Sequence, residues 1–139
     1  MELILAKSAG FCYGVRRAVE LAEQTAQSGK ACVMLGSIIH NQDMIRHLAE
    51  QGLTVVDTPE EVLEGSTVLI RSHGESRAVH EYLDSKQVHI LDATCPNVTK
   101  IHKIVSEAEQ QGKQPVIVGT PTHPEVMAIA GWCEHPIVV

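Results

Sequence analysis

The sequence predicts an α/β protein made of parallel-sheet βα units, and three observations carry that expectation. Short apolar runs of strand length alternate along the whole chain with segments whose apolar residues recur at helical spacing. The breaks between them are turns rich in glycine, proline and asparagine, and no Gly/Ser linker or low-complexity tract divides the chain. Cysteine and histidine cluster at the ends of the apolar runs, where an open α/β sheet binds ligands.

Composition narrows the class. A chain of 139 residues can bury one ordinary core, or one and a half small α/β units, without disulfides. With 3% aromatic residues, that core must come from Val, Ile, Leu and Ala. A net charge of -6 leaves no excess positive potential for nucleic acid or an anionic membrane. No apolar run approaches the roughly 20 residues of a membrane span. The start, Met1 to Lys7, is too short for a signal peptide and carries Glu2 where a basic region belongs. A cytoplasmic protein is therefore expected. In that reducing compartment its four cysteines read as ligands, nucleophiles or buried small hydrophobes.

Taken in order, Leu3 to Ala6 reads as a strand leading into Gly10-Phe11-Cys12-Tyr13-Gly14, with a helix from Val15 that closes at Ser28-Gly29-Lys30. Ala31 to Leu35 is a buried strand ending in a loop through His40-Asn41. Met44, Ile45, Leu48 and Ala49 mark a helix stopped at Gln51-Gly52, and Leu53 to Val56 is the next strand. Thr58-Pro59-Glu60-Glu61 has the N-cap, first-position proline and early acids of a short helix over 59–63. Thr67 to Ile70 is a strand running into Arg71-Ser72-His73-Gly74, and a helix follows through Ala78, Val79, Tyr82 and Leu83. Val88 to Leu91 is a strand that delivers Cys95 to a turn, and a helix carries Ile101, Ile104, Val105 and Ala108 on one face. Pro115 to Val118 is a strand, Gly119 to Glu125 a loop, Met127 to Ala130 a helix, and Pro136 to Val139 the start of another strand. This alternation implies a parallel sheet with right-handed crossovers.

Five expected strand ends carry chemistry: Cys12, His40, His73, Cys95, and His123 with Glu125. In one parallel sheet all five would point to one edge. Cys12 and Cys95 would occupy equivalent places in two βα units, each before a helix N-terminus whose free N–H groups stabilise a thiolate. Gly10 and Gly14 let the backbone approach a bulky ligand, and cysteine followed by proline, as in Cys95-Pro96, is common where a thiolate holds iron-sulfur. A cysteine at such a turn can equally be a buried small hydrophobe. A separation of 83 residues excludes a local CxxC site. Cys32 and Cys133, by their apolar or turn context, read as structural.

His40, His73 and His123 sit among Ser37, Ser72, Thr120 and Thr122, and imidazoles, hydroxyls and free backbone N–H groups are the donors a diphosphate requires. Three histidines could instead hold zinc. Glu125 can serve as a proton donor in a cleft or as a first-turn acid on a helix dipole. The remaining histidines, His47, His80, His89, His102 and His135, read as surface or satisfied polar residues.

Together and in this order, Gly10-Phe11-Cys12-Tyr13-Gly14-Val15, Ile39-His40-Asn41, Arg71-Ser72-His73-Gly74, Asp92-Ala93-Thr94-Cys95-Pro96 and His123-Pro124-Glu125 resemble the 4-hydroxy-3-methylbut-2-enyl diphosphate reductases of the non-mevalonate isoprenoid route, the LytB-type iron-sulfur enzymes. The resemblance runs over the whole chain. It implies a fold of three similar α/β units around a cavity, with one cysteine from each unit holding a 4Fe-4S cluster. It implies that Cys12 and Cys95 are two of the metal ligands, that His40, His73 and His123 contact the substrate's diphosphate or hydroxyl, and that Glu125 supplies protons. The implied reaction is reductive dehydroxylation of the allylic diphosphate to isopentenyl and dimethylallyl diphosphate, with electrons from a donor such as ferredoxin or flavodoxin.

On this reading residues 1–13 form a strand and the first cluster loop, 14–95 the first α/β unit and 96–139 an incomplete second unit. The third unit and the third cysteine ligand would lie outside the chain. The isolated polypeptide is then expected to turn over little and to self-associate through faces meant for the missing unit. Two rivals remain open: a cluster-free module that binds phosphate ligands through the histidines, and a fragment with no site.

Overall fold

A computed structural model describes residues 2–139. It contains helix α1 (Tyr13–Gln27), strand β1 (Cys32–Leu35), α2 (Gln42–Glu50), β2 (Thr54–Val56), β3 (Thr67–Ile70), α3 (Arg77–Ser85), β4 (His89–Asp92), α4 (Pro96–Gln110), β5 (Val116–Ile117), α5 (Pro124–Ala130) and β6 (Ile137–Val138), with a single 3-10 turn, Pro59–Glu61, between β2 and β3. The α/β alternation expected from periodicity is present throughout.

Strands β1 to β4 form one parallel sheet in the order β2-β1-β3-β4. Successive side chains of a strand face opposite ways, and each face of this sheet has its own core. Met34 and Leu69 join Ala18, Val19 and Ala22 of α1 and Leu48 of α2 on one side. Leu35, Val68 and Ile70 join Leu83 of α3 and Val62 of the post-turn segment on the other. The largest fully buried side chains are Met34, Ile38, four leucines, Ile70, Val62 and Val68, and none is aromatic, as the composition requires.

Two expectations about strands fail. Leu3, Ile4 and Leu5 form no strand; they are 88%, 82% and 81% exposed. An extended apolar segment becomes a strand only when another backbone pairs with it, and none does so here. Likewise β5 pairs with β6 alone, in a separate two-stranded parallel sheet. His123 therefore approaches the other histidines from a different sheet, and the five residues do not share one sheet edge. The short helix expected over 59–63 is the 3-10 turn, held by a reciprocal capping box in which the Glu61 carboxylate accepts from the Thr58 N–H at 2.9 Å.

The segment after α4 is docked by polar contacts. Trp132 Nε1 donates to the Glu75 carbonyl at 2.9 Å, and Arg77 Nη2 donates to the Trp132 carbonyl at 3.1 Å and to Ser106 Oγ at 2.8 Å. These bonds set α5, and with it His123, against the loop that follows β3.

Candidate active site

The loops after β1, β3 and β4 are laced side by side by main-chain bonds. The Ser72 N–H donates to the Ile38 carbonyl at 3.2 Å, and the Cys95 N–H donates to the Ser72 carbonyl at 2.9 Å. Parallel neighbours in register deliver their following loops to the same edge, so His40, His73 and Cys95 emerge together. Gly36 makes the tight exit from β1: its φ is +67°, and a Cβ there would lie 2.6 Å from Arg71 Nη1.

The three histidines named from sequence converge. The His40 and His73 ring centroids are 4.7 Å apart, His73 and His123 5.8 Å, and His40 and His123 6.0 Å. Beside them is a cavity of about 290 Å³ lined by Phe11, Val15, Ile39, His40, Asn41, Ser72 and His73. His73 Nδ1 is buried and has no partner. Burial first, then the charges of His40, Arg71 and His123, pushes the His73 pKa down to about 4, so this ring is neutral at neutral pH. The other two imidazoles are exposed. His123 caps α5, its Nδ1 accepting from the Glu125 N–H at 3.2 Å, which leaves Nε2 as the protonated nitrogen. Glu125 lies half-buried in the first turn of α5.

Cys12 and Cys95 are both N-cap residues of 15-residue helices, and neither thiol is used for capping. Cys95 follows β4, whereas Cys12 follows an irregular segment, so their equivalence is one of helix N-termini rather than of strand ends. The two helix starts touch: a Cβ on Gly14 would lie 2.5 Å from Cys95 Sγ. Arg17 reinforces the contact from α1, donating to the Thr94 carbonyl at 3.1 Å and the Asp92 carbonyl at 3.2 Å. Cys12 is exposed and Cys95 half-buried. Two accessible thiols at adjacent, positively polarised helix ends suit thiolate coordination of iron. No group of three or more His, Cys, Asp or Glu among the described residues is arranged to hold a metal ion. The other thiols do not extend it. Burial pushes Cys32 up to about 11, and it also raises Cys133, whose thiol contacts the Ala130 carbonyl.

Several residues to which the sequence assigned no role of their own support the site. Arg71 Nη2 pairs with Glu75 Oε1 at 2.7 Å, with side chains only 22% and 12% exposed, directly beside His73. Asp92 accepts from the Thr94 N–H at 2.8 Å and from the Thr94 hydroxyl, shaping the turn before Cys95. His102, expected at the surface or satisfied, is 4% exposed with Nε2 buried and unpartnered. Helical periodicity placed it outside the apolar face, and the stacking of Trp132 and the close approach of Gly74 cover it.

The architecture and site define a parallel α/β protein with cysteines at the N-cap positions of two helices and a cavity lined by His40 and His73. The profile of the LytB protein family matches residues 3–139, and the chain belongs to that family. It is 44% identical over 138 residues to the 4-hydroxy-3-methylbut-2-enyl diphosphate reductase of Caldanaerobacter subterraneus subsp. tengcongensis, covering 96% of this chain and 48% of that protein. The enzyme of the same name from Nitratiruptor sp. is 41% identical over 140 residues, covering 100% and 50%. A solved structure of (E)-4-hydroxy-3-methyl-but-2-enyl diphosphate reductase, described as the terminal enzyme of the non-mevalonate pathway, superposes with a TM-score of 0.84 at 40% identity, over 99% of this chain and 50% of that one. The structure of the E-1-hydroxy-2-methyl-but-2-enyl-4-diphosphate reductase from Plasmodium falciparum superposes with a TM-score of 0.91 at 26% identity, over 96% of this chain and 42% of that one. The chain thus spans about half the length of the curated relatives it matches. No helix among the described residues is long and apolar enough to cross a membrane.

Proposed function

We propose that this chain carries the substrate-binding histidines and two of the cluster ligands of a 4-hydroxy-3-methylbut-2-enyl diphosphate reductase. The observation that carries the reading is the convergence of the His40, His73 and His123 rings within 6.0 Å of one another, in a chain whose relatives bear that name. His73 Nδ1 is a buried polar atom awaiting a partner, and a phosphate or hydroxyl oxygen of the substrate supplies one. His123 presents Nε2–H, while His40 and the Ser72 hydroxyl add donors from neighbouring loops. Glu125, in the first turn of the helix that His123 caps, would deliver a proton.

Cys12 and Cys95 would hold a 4Fe-4S cluster, with the third ligand coming from a unit outside this chain. When bound, the cluster supplies the two electrons and a Lewis-acidic site for reductive dehydroxylation. Over the reaction the allylic C–O bond breaks, two electrons and two protons enter, and one oxygen leaves as water. Residues 1–13, 14–95 and 96–139 act on this reading as cluster loop, first unit and partial second unit. A ferredoxin or flavodoxin is the class of donor, the compartment is the cytoplasm, and the isolated chain is inactive.

The test compares this chain with a polypeptide extended by the third unit, assayed anaerobically for iron, sulfide and reduction of the allylic diphosphate. The extended protein is expected to be brown and active and the short one colourless. Normal reduction by the extended protein after Cys95→Ala would refute the assignment. Inorganic diphosphate binding that survives Cys12→Ala and Cys95→Ala, with no iron uptake by either polypeptide, would favour the cluster-free binding module.

A further inference from the structure

Arg17 stands in the second turn of α1 and reaches across to the end of β4. Its Nη1 donates to the Thr94 carbonyl at 3.1 Å and its Nη2 to the Asp92 carbonyl at 3.2 Å, contacts between residues 77 and 75 positions apart in the chain. Both acceptors lie in the turn that delivers Cys95. One guanidinium thus grips that turn at two points, and its planar fork fixes direction as well as distance. The base of the grip is firm, because the next residues of α1, Ala18 and Val19, are buried in the core with Met34 and Leu69 of the sheet.

The other bonds of the turn hold it to itself or to the neighbouring loop. The Asp92 carboxylate accepts from the Thr94 N–H at 2.8 Å and from the Thr94 hydroxyl, and the Cys95 N–H donates to the Ser72 carbonyl at 2.9 Å. Neither ties the turn to α1. The Gly14 contact does touch α1, but as a steric stop: an added Cβ would meet Cys95 Sγ at 2.5 Å, so the contact limits how near the thiol comes and does not retain it. Among the described residues, the hydrogen bonds that join the Cys95 turn to the helix capped by Cys12 come from Arg17.

We propose that Arg17 is a positioning residue, which clamps the Asp92 to Thr94 turn onto α1 and so holds Cys95 beside Cys12, letting both thiolates reach one metal centre. The proposal rests on the reading of Cys12 and Cys95 as co-ligands. Arg17 touches neither thiol and acts through the backbone that carries one of them.

Cadmium ion is the probe, since soft thiolates select soft metals and each bound sulfur adds to a thiolate-to-cadmium charge-transfer absorption. Titrated anaerobically, the native chain is expected to show a two-sulfur band that Cys12→Ala or Cys95→Ala each reduces by one sulfur. Arg17→Met keeps an apolar stem and removes the fork. It is expected to weaken two-sulfur binding about 10- to 100-fold, the range for losing a group that orients metal ligands. Arg17→Lys keeps the charge without the fork and is expected to fall between. In a Cys95→Ala background, Arg17→Met should leave the remaining one-sulfur binding unchanged, whereas a general loosening of the fold would weaken it too. Two-sulfur binding of native strength in Arg17→Met would overturn the proposal and leave the co-ligand reading standing. Native strength in Arg17→Lys would also overturn it, by assigning the effect to charge, and this variant decides the matter if Arg17→Met does not fold. A native band that never exceeds one sulfur would remove the co-ligand reading and the proposal together.

Discussion

Gly14 is packed so closely on Cys95 that a methyl group at position 14 would stand 2.5 Å from Sγ and 3.0 Å from Cβ. Gly14 lies in the first turn of α1, two residues after Cys12, so the contact fixes the spacing between the two cysteine-bearing helix starts. Gly14→Ala is expected to destabilise the chain by about 1–3 kcal/mol, the cost of overpacking a filled site. Denaturant melts should show that loss shrinking in the Gly14→Ala/Cys95→Ala double variant, because Sγ is the closest atom. A loss of equal size with and without Cys95 would show that the contact is not its source.

His73 and His102 give the chain an acid-sensitive stability. Each folded pKa is about 4 against an ordinary 6.5. Above 6.5 neither the folded nor the unfolded form binds the proton, and the two rings make no pH-dependent contribution. As pH falls from 6.5 towards 4 the unfolded chain takes up protons that the folded chain refuses, so stability drops across that window and levels off below it. Urea midpoints measured between pH 7 and 4 should fall more steeply for the native chain than for His73→Asn or His102→Phe.

The Arg71–Glu75 pair beside His73 is mostly buried, so removing one partner strands the other charge. Arg71→Ala should cost about 3 kcal/mol or more in a thermal or chemical melt. Replacing both, Arg71→Met with Glu75→Gln, should cost much less. Equal losses in the single and double variants would mean that the pair acts mainly by packing.

Titration with inorganic diphosphate should locate its binding at the cluster of His40, His73 and His123. Loss of one donor to a charged ligand is worth about 1.5–3 kcal/mol, so His40→Ala or His123→Ala should weaken binding roughly tenfold or more. His47→Ala, whose ring bonds Gln51 on the outer part of α2, should leave it unchanged. Calorimetry showing no difference between these variants would separate the histidines from anion binding.

How far the sequence alone reached follows from the range of the forces involved. Strand and helix identities were local matters of periodicity and turn chemistry, so the elements from α1 to β6 were legible, as were the cysteine and histidine motifs at their ends. Pairing was not local. Leu3 to Ala6 has the composition of a strand but no neighbouring backbone to bond, and β5 found β6 rather than the main sheet. Only the tertiary structure could bring His123 within 6.0 Å of His40, through the Trp132–Glu75 and Arg77–Trp132 bonds that dock α5. The same docking buries His102, a burial that its own helix gives no sign of. Residue type and local spacing determined what chemistry this protein carries, and long-range packing decided which of those groups meet and which of them lose their water.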